Sequence, residues 1–148
     1  INSTYALDNI QTWETLNNDT AKIMMGTGVY TTTVNMTKEE AKAKWAINLG
    51  DVRESARVYV NDNFVGCAWS VPFILDCKDA FKAGKNTLRI EVTNLPANRI
   101  SEMDRQGVKW RKFDEINVVD INYKKTSYAN WEAVKSGLNS NVTLLKLK

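Results

Sequence analysis

The chain has 148 residues, of which 43% are apolar and 25% charged, and its formal net charge is +3. This length suits one compact domain with its own core, so we expect a single domain over residues 1–148. The small net charge gives no support for a nucleic-acid partner, and the absence of any apolar run of about 18 residues predicts that the chain does not enter a membrane.

Apolar and polar side chains alternate with a period of two along most of the chain, which predicts β-strands. The clearest case follows Asn86, where Leu88, Ile90 and Val92 would point to one face of a sheet and the residues between them to the other. We expect the longer strands at 29–36, 44–49, 56–61, 86–94, 116–123 and 142–147, and shorter strands at 64–67 and 73–77.

Helical signals are short. Thr37 and Glu40 have the spacing of a capping box, in which each side chain binds the backbone N–H of the other residue, so we expect a helix of one or two turns before Trp45. Residues 79–83 and 131–135 are each predicted to hold a single helical turn. Seven or eight strands with so little helix predict an antiparallel β-sandwich.

The alternating pattern also predicts which side chains form the core. Apolar residues on the inward face of four predicted strands should fill the space between the two sheets. These residues are Trp45, Ile47, Leu49, Val58, Val60, Leu88, Ile90 and Val92.

The sequence contains no histidine. Its absence excludes Ser-His and Cys-His nucleophile pairs, imidazole bases and His-containing zinc sites. The two cysteines, Cys67 and Cys77, are too few for a four-thiolate site, and their spacing matches no redox or metal motif. They are either two buried free thiols or one disulfide, and free thiols are favoured because a core of this size needs no covalent link.

An ordered series of short motifs adds to the strand pattern. The motifs are 49–53 (LGDVR), 58–66 (VYVNDNFVG), Trp69, 72–73 (PF), Asp76, 84–88 (GKNTL) and 92–94 (VTN). In this series the chain resembles the galactose-binding-like β-sandwich, as in the sugar-binding domain of family 2 glycoside hydrolases and the C-terminal domain of family 106 rhamnosidase-type enzymes. The resemblance covers residues 24–100 closely and extends more loosely to Ser136, Gly137 and Leu138. It implies an all-β jelly roll of seven to nine strands with one or two short helices.

The resemblance also implies a function. Such domains are ancillary, so we expect a non-catalytic domain of a larger bacterial glycoside hydrolase, periplasmic or extracellular, that acts on plant or microbial polysaccharide. Its partner would be the catalytic domain of the same polypeptide, and a chain that begins at Ile1 without Met fits a piece of a longer protein. The alternatives are an autonomous carbohydrate-binding module and a purely structural packing domain.

Four residues are candidates for carbohydrate binding at one end of the sandwich: Asn61, Trp69, Asn98 and Arg99. The resemblance places Asn61 at a turn that approaches substrate in some family 2 enzymes, although an asparagine there also caps its own turn. Trp69 either offers its indole face to a pyranose ring or plugs the end of the sandwich. Asn98 and Arg99, together with Asn94, either grip a sugar or tie their loop to the sandwich.

Residues 103–113 combine Trp110 with the basic residues Arg105, Lys109, Arg111 and Lys112. This composition could bind acidic polysaccharide or single-stranded nucleic acid. Since one aromatic residue makes a poor stacking track, a long loop or an interdomain contact is favoured.

A glycosidase needs two carboxyl groups that face one glycosidic bond. The carboxylates that could in principle supply such a pair are Asp51, Glu54, Asp76, Asp104 and Asp120. Nothing in the sequence sets two of them in a pocket, so we predict no catalytic residue. We also expect no cofactor and no metal ligand, because no calcium-loop spacing is visible, although some galactose-binding-like domains hold a structural Ca²⁺.

Overall fold

The computed structural model describes residues 3–112, 121–122 and 124–148, and most of its regular structure is β-strand. The strands are β1 (Thr27–Met36), β2 (Trp45–Asn48), β3 (Val52–Arg53), β4 (Ser55–Val60), β5 (Asn63–Ala68), β6 (Ile74–Lys78), β7 (Gly84–Thr93), β8 (Gly137–Leu138) and β9 (Thr143–Lys146). The helices are α1 (Asp19–Lys22) and α2 (Ala97–Arg105), with 3₁₀ turns at Trp13–Thr15 and Glu40–Lys42. No helix within the described part of the chain is long and apolar enough to cross a membrane.

The strands form antiparallel sheets around one core. A four-stranded sheet has the order β1-β7-β4-β5 and a three-stranded sheet the order β6-β2-β9, while β3 and β8 form a short pair. One buried cluster contains side chains from both larger sheets. The predicted antiparallel sandwich of seven to nine strands is therefore confirmed.

The predicted inward faces are also correct. Burial in β7 alternates as expected, with Leu88, Ile90 and Val92 buried between more exposed neighbours. All the predicted core residues except Trp45 are buried. Trp45 is half-buried and packs against the cluster, and its indole N–H donates to the carbonyl of Glu40 at 2.9 Å.

The capping box forms as predicted. The backbone N–H of Thr37 donates to the Glu40 carboxylate at 2.7 Å, and the N–H of Glu40 donates to Thr37 Oγ1 at 3.1 Å. Hydrogen bonds to the Glu40 carboxylate from the backbone N–H and the side chain of Thr37 lower the pKa of the Glu40 carboxyl. The helix that follows is a single 3₁₀ turn. The strand expected at 116–123 lies outside the described residues, apart from Ile121 and Asn122, which form a turn.

The helical turns predicted at 79–83 and 131–135 are wrong, because asparagine side chains bind the backbone groups that a helix would use. The Asn86 amide accepts from Lys82 N at 2.9 Å and donates to Lys82 O at 2.7 Å. The Asn98 amide binds Val134 N and Val134 O, both at 2.8 Å. Both segments are irregular instead.

The prediction of loops after Asn94 is also wrong in part, because residues 97–105 form the helix α2. The buried residues of α2 are Asn98 and Ser101, which are polar. The side chains that α2 buries are therefore not the apolar ones by which an amphipathic helix is recognised in a sequence.

Both cysteines are free thiols, as predicted, but only Cys77 is buried. Burial raises the pKa of the Cys77 thiol to about 11. Cys67 lies on β5, at the edge of the four-stranded sheet, and is exposed because the next residue, Ala68, takes the inward position.

Candidate functional site

Asn61 lies at the opposite end of the four-stranded sheet from the other predicted site residues. It forms the β4–β5 turn with Asp62, and both residues have positive φ, as a two-residue hairpin turn requires. Trp69 follows the far end of β5, about 20 Å away along the strand. The expectation that one end of the sandwich unites these residues is therefore wrong.

The Asn61 side chain is also occupied by structural bonds. Its amide N–H donates to Asn86 Oδ1 at 2.8 Å, and its carbonyl accepts from Thr87 N at 3.0 Å. Asn86 is fully buried and binds Lys82 and Gly84 as well. These contacts favour the turn-forming interpretation of Asn61.

Trp69 begins the loop that carries the chain from β5 to β6. It is 75% exposed, so the interpretation of Trp69 as a plug in the sandwich is wrong. Val71, in the same loop, is 79% exposed, while Phe73 is buried and its carbonyl accepts from Leu49 N at 2.9 Å. Phe73 thus anchors a loop whose apolar tip faces solvent.

Other exposed apolar residues lie at this end of the sheet. The register pairs Thr27 of β1 with Thr93 of β7, and Ala56 of β4 with Ala68 of β5. The start of β1 and the ends of β5 and β7 therefore lie at the same end of the sheet. The residues just beyond these strand ends are Met25, Trp69 and Leu95. Met25 is 59% and Leu95 51% exposed. We call Met25, Trp69, Val71 and Leu95 the apolar rim. Neighbouring strands lie about 5 Å apart, so the strand ends beneath it span about 15 Å.

Asn94 and Asn98 have structural roles below this rim. The Asn94 amide accepts from Gly26 N at 3.0 Å and donates to Met24 O at 2.8 Å and Ser136 Oγ at 3.0 Å. Asn98 is buried and its amide binds the backbone of Val134. These bonds favour the interpretation that the asparagines tie loops to the sandwich, while Arg99, on α2, is half-buried.

A cleft of about 450 Å³ lies between α1, α2 and the segment around Trp131. Four charged side chains line it: Asp19 and Lys22 on α1, and Glu102 and Arg105 on α2. They form two ion pairs, Lys22–Asp19 at 3.0 Å and Arg105–Glu102 at 2.9 Å. Trp131, which is 51% exposed, also lines the cleft. The cleft thus combines an exposed ring with charge-balanced donors and acceptors.

Trp131 is positioned by contacts with Tyr128. The two ring centroids are 4.4 Å apart, and Trp131 N donates to Tyr128 O at 3.1 Å. Tyr128 is fixed in turn by Asp104 at the end of α2, whose carboxylate accepts from Tyr128 N at 2.7 Å and from Trp110 Nε1 at 2.6 Å. These two bonds lower the pKa of the Asp104 carboxyl.

The segment predicted as a basic loop is more ordered than expected. Its first part belongs to α2, and Trp110 stacks near Tyr128 with centroids 6.1 Å apart. The Arg111 guanidinium lies 5.0 Å from the Trp110 ring and 4.9 Å from the Tyr128 ring. Trp110 thus belongs to an aromatic cluster. Phe113, at the end of the segment, lies outside the described residues.

Three of the candidate carboxylates have structural partners, and a fourth, Glu54, lies near Arg53 as Asp51 does. Asp51 pairs with Arg53, Asp76 accepts from Lys78 N at 2.8 Å, and Asp104 binds Trp110. Asp120 falls outside the described residues. In residues 3–112, 121–122 and 124–148, no three Cys, Asp or Glu side chains form a group that could hold a metal ion.

Sequence reasoning missed the cleft because its parts are distant in sequence and α2 was not expected. A usable signal was present: Pro96 comes before α2 and Gly107, with φ +66°, comes just after it. This is the usual placement of proline and glycine at the two ends of a helix.

Comparison with known proteins supports the resemblance. Residues 11–137 match the family model described as "Glycosyl hydrolase 2 galactose-binding domain-like". A protein of Formosa agariphila named "Putative beta-glucuronidase" is 29% identical over an alignment of 136 residues, and the match covers 84% of this chain and 12% of that protein.

Solved structures show the same fold. The rhamnosidase from Novosphingobium sp. PP1Y superposes with a TM-score of 0.71 at 26% identity, over 93% of this chain and 12% of that one. The beta-D-glucuronidase of Dictyoglomus thermophilum superposes with a TM-score of 0.55 at 18% identity, over 62% of this chain and 17% of that one. This chain therefore spans a small part of the relatives it matches. Its galactose-binding-like fold is confirmed, and the chain belongs to the galactose-binding domain-like family of glycosyl hydrolase 2.

Proposed function

We propose that this chain is a non-catalytic domain of a larger glycoside hydrolase that acts on polysaccharide. In this proposal the domain packs against the catalytic part of the same polypeptide through the apolar rim. The chain corresponds to only 12% of the length of the relative from Formosa agariphila and of the Novosphingobium rhamnosidase, which supports a larger parent protein.

The apolar rim is the observation that carries the docking proposal. Its four side chains come from three loops, and each is more than half exposed. Burying such side chains against another surface is favourable by about 25 cal/mol per Å² of apolar area removed from water. The opposite end of the sheet carries the polar Asn61–Asp62 turn with one exposed apolar side chain, Phe64, beside it, so the rim is the more apolar end.

The occupant we propose for the rim is the remainder of the parent chain, because the relatives extend far beyond the matched segment. A sugar ring needs converging polar groups beside its platform. The loop of Trp69 supplies a single polar side chain, Ser70, beside Val71 and Pro72, and the neighbouring loops supply Met25 and Leu95. Sugar binding by Trp69 and Arg99 stays a prediction, and it would belong to the alternative of an autonomous binding module.

The test compares the double variant Trp69→Ser/Val71→Ser in the 148-residue chain and in the full-length parent protein. In the chain alone the side chains are exposed, so we expect a melting temperature within about 2 °C of the unsubstituted chain. In the parent protein we expect the domain to melt several degrees lower and to be cleaved faster by protease, because the docking contact is lost.

Phe64→Ser is the matched control, because Phe64 is 58% exposed and lies at the start of β5, away from the rim. Phe64→Ser should not change the difference in melting temperature between the domain in the chain alone and the domain in the parent protein. Equal effects of the double variant in both settings would contradict the docking proposal, and hydrolysis of a glycan by the chain alone would contradict the non-catalytic role.

Three further expectations remain predictions. They are a single domain over residues 1–148, a periplasmic or extracellular location, and independence from cofactors. Independence from cofactors can be tested by measuring the melting temperature of the chain with and without a chelator. If a structural Ca²⁺ were bound, the chelator would lower the melting temperature.

A further inference from the structure

We infer that the cleft between α1 and α2 binds one neutral pyranose ring of a glycan, with Trp131 as the stacking platform. This inference rests on the proposed function, since it assumes that the parent protein acts on polysaccharide. It adds a ligand site on the ancillary domain that involves neither Trp69 nor Asn61.

The dimensions of the cleft fit a sugar ring. Its volume of about 450 Å³ lies within the range of small-molecule sites, about 300–1,000 Å³. Trp131 is 51% exposed and lines the cleft, so part of its indole is accessible for packing against the apolar face of a pyranose. The Trp131–Tyr128 contact at 4.4 Å fixes the ring before ligand arrives, which reduces the entropy lost on binding.

The polar lining suits hydroxyl groups. A sugar hydroxyl donates one hydrogen bond and accepts others, so it requires both kinds of partner. Lys22 supplies donors, since within the described residues one of its three N–H groups is bound, to Asp19, and the carboxylates of Asp19 and Glu102 supply acceptors. Charged partners strengthen these hydrogen bonds.

The charge balance of the cleft favours a neutral ring over a uronate. Two cations and two carboxylates line the cleft, and the carboxylates would repel an acidic sugar. Each cation is already paired with a carboxylate of its own helix. A carboxylate ligand would therefore meet a like charge beside either cation, whereas a hydroxyl would not.

The lining is held in place by the fold. Arg105 donates to Ser101 Oγ at 2.8 Å and to Ala129 O at 3.1 Å, in addition to its ion pair with Glu102. Asn98 binds Val134 on the same side of the cleft. These bonds join α2 to the segment that carries Trp131, so platform and polar groups are fixed relative to each other.

The experiment is calorimetric titration of the 148-residue chain with neutral oligosaccharides of glucose, galactose, mannose and rhamnose, and with oligogalacturonate as the acidic probe. We expect saturable binding of at least one neutral oligosaccharide, and at least tenfold weaker binding of the acidic probe. Trp131→Ala should weaken binding at least tenfold, and Lys22→Met at least threefold.

Phe64→Ala is the matched control, because it removes an exposed aromatic ring outside both the cleft and the apolar rim, and it should leave the affinity within twofold. Trp69→Ala is titrated as well, as the test of the alternative site at the rim. Far-UV circular dichroism checks the fold of each variant, and Lys22→Met alone decides if Trp131→Ala does not fold. The inference is overturned if no neutral oligosaccharide binds, if the acidic probe binds more tightly, or if Trp69→Ala weakens binding and the cleft variants do not. None of these results bears on docking through the rim, which the paired melting experiment tests separately.

Discussion

Gly137 is a residue whose identity the fold constrains tightly. Its φ of +89° is rarely adopted by L side chains, and a Cβ at this position would collide with Trp13 Nε1 and the Tyr30 hydroxyl. The Trp13 indole N–H donates a hydrogen bond to the Tyr30 hydroxyl at 2.7 Å, and Leu138 N donates to the same hydroxyl at 3.1 Å. The close approach of β8 to this pair therefore requires glycine.

Gly137→Ala should destabilise the chain by about 2–5 kcal/mol, the sum of backbone strain and overpacking. Gly84→Ala is the matched control, because Gly84 has a φ of +87° but nothing within 4 Å of the added Cβ. Urea unfolding of both variants measures their free energies of unfolding and so separates the cost of backbone strain from the cost of the collision. If the two substitutions cost the same, the collision with Trp13 and Tyr30 contributes nothing.

Buried asparagines fix the loops of this domain. Asn86, Asn94 and Asn98 each bind backbone groups of another segment, and all three are buried. A single sequence does not distinguish such an asparagine from one that faces a ligand, because the same amide suits a carbonyl, an N–H or a sugar hydroxyl. For that reason Asn98 could be identified as a candidate but not assigned a role.

At the scale of elements, the strands were the predictable part of the fold. In β7 every second residue from Asn86 to Val92 points inward and is buried. The period of two therefore appears directly in the sequence. The helix α2 was harder to predict, since the residues that it buries, Asn98 and Ser101 at positions i and i+3, are polar. The cleft depends on α2, so it was not anticipated either.

The link between α2 and the Trp131 segment can be tested through Asn98. Asn98→Ala removes both bonds to Val134 and should destabilise the chain by about 1–3 kcal/mol, because buried backbone groups lose their partner. The substitution should also change the fluorescence of Trp131, which lies three residues before Val134.

Gln106→Ala is the control for this substitution, because it lies just after α2, is exposed and binds only Glu102 through its side chain within the described residues. It should change stability by less than about 0.5 kcal/mol. Equal stability of Asn98→Ala and the unsubstituted chain would show that the two bonds do not hold the segment in place.

At the scale of the molecule, the two ends of the four-stranded sheet differ. One end carries the apolar rim, and the other carries the Asn61–Asp62 turn bonded to Asn86. The sequence motifs predicted the sandwich and its family but not which loops share an end, because that depends on strand order and register. The pairing of β4 with both β5 and β7 separates Asn61 from Trp69.

The central claim is that the apolar rim is buried against the rest of the parent protein. Hydrogen–deuterium exchange of the full-length parent and of the 148-residue chain tests it most directly. We predict that peptides covering residues 69–73 exchange at least tenfold more slowly in the parent, while peptides covering the β4–β5 turn exchange equally in both. Equal exchange of residues 69–73 in the two proteins would contradict the claim.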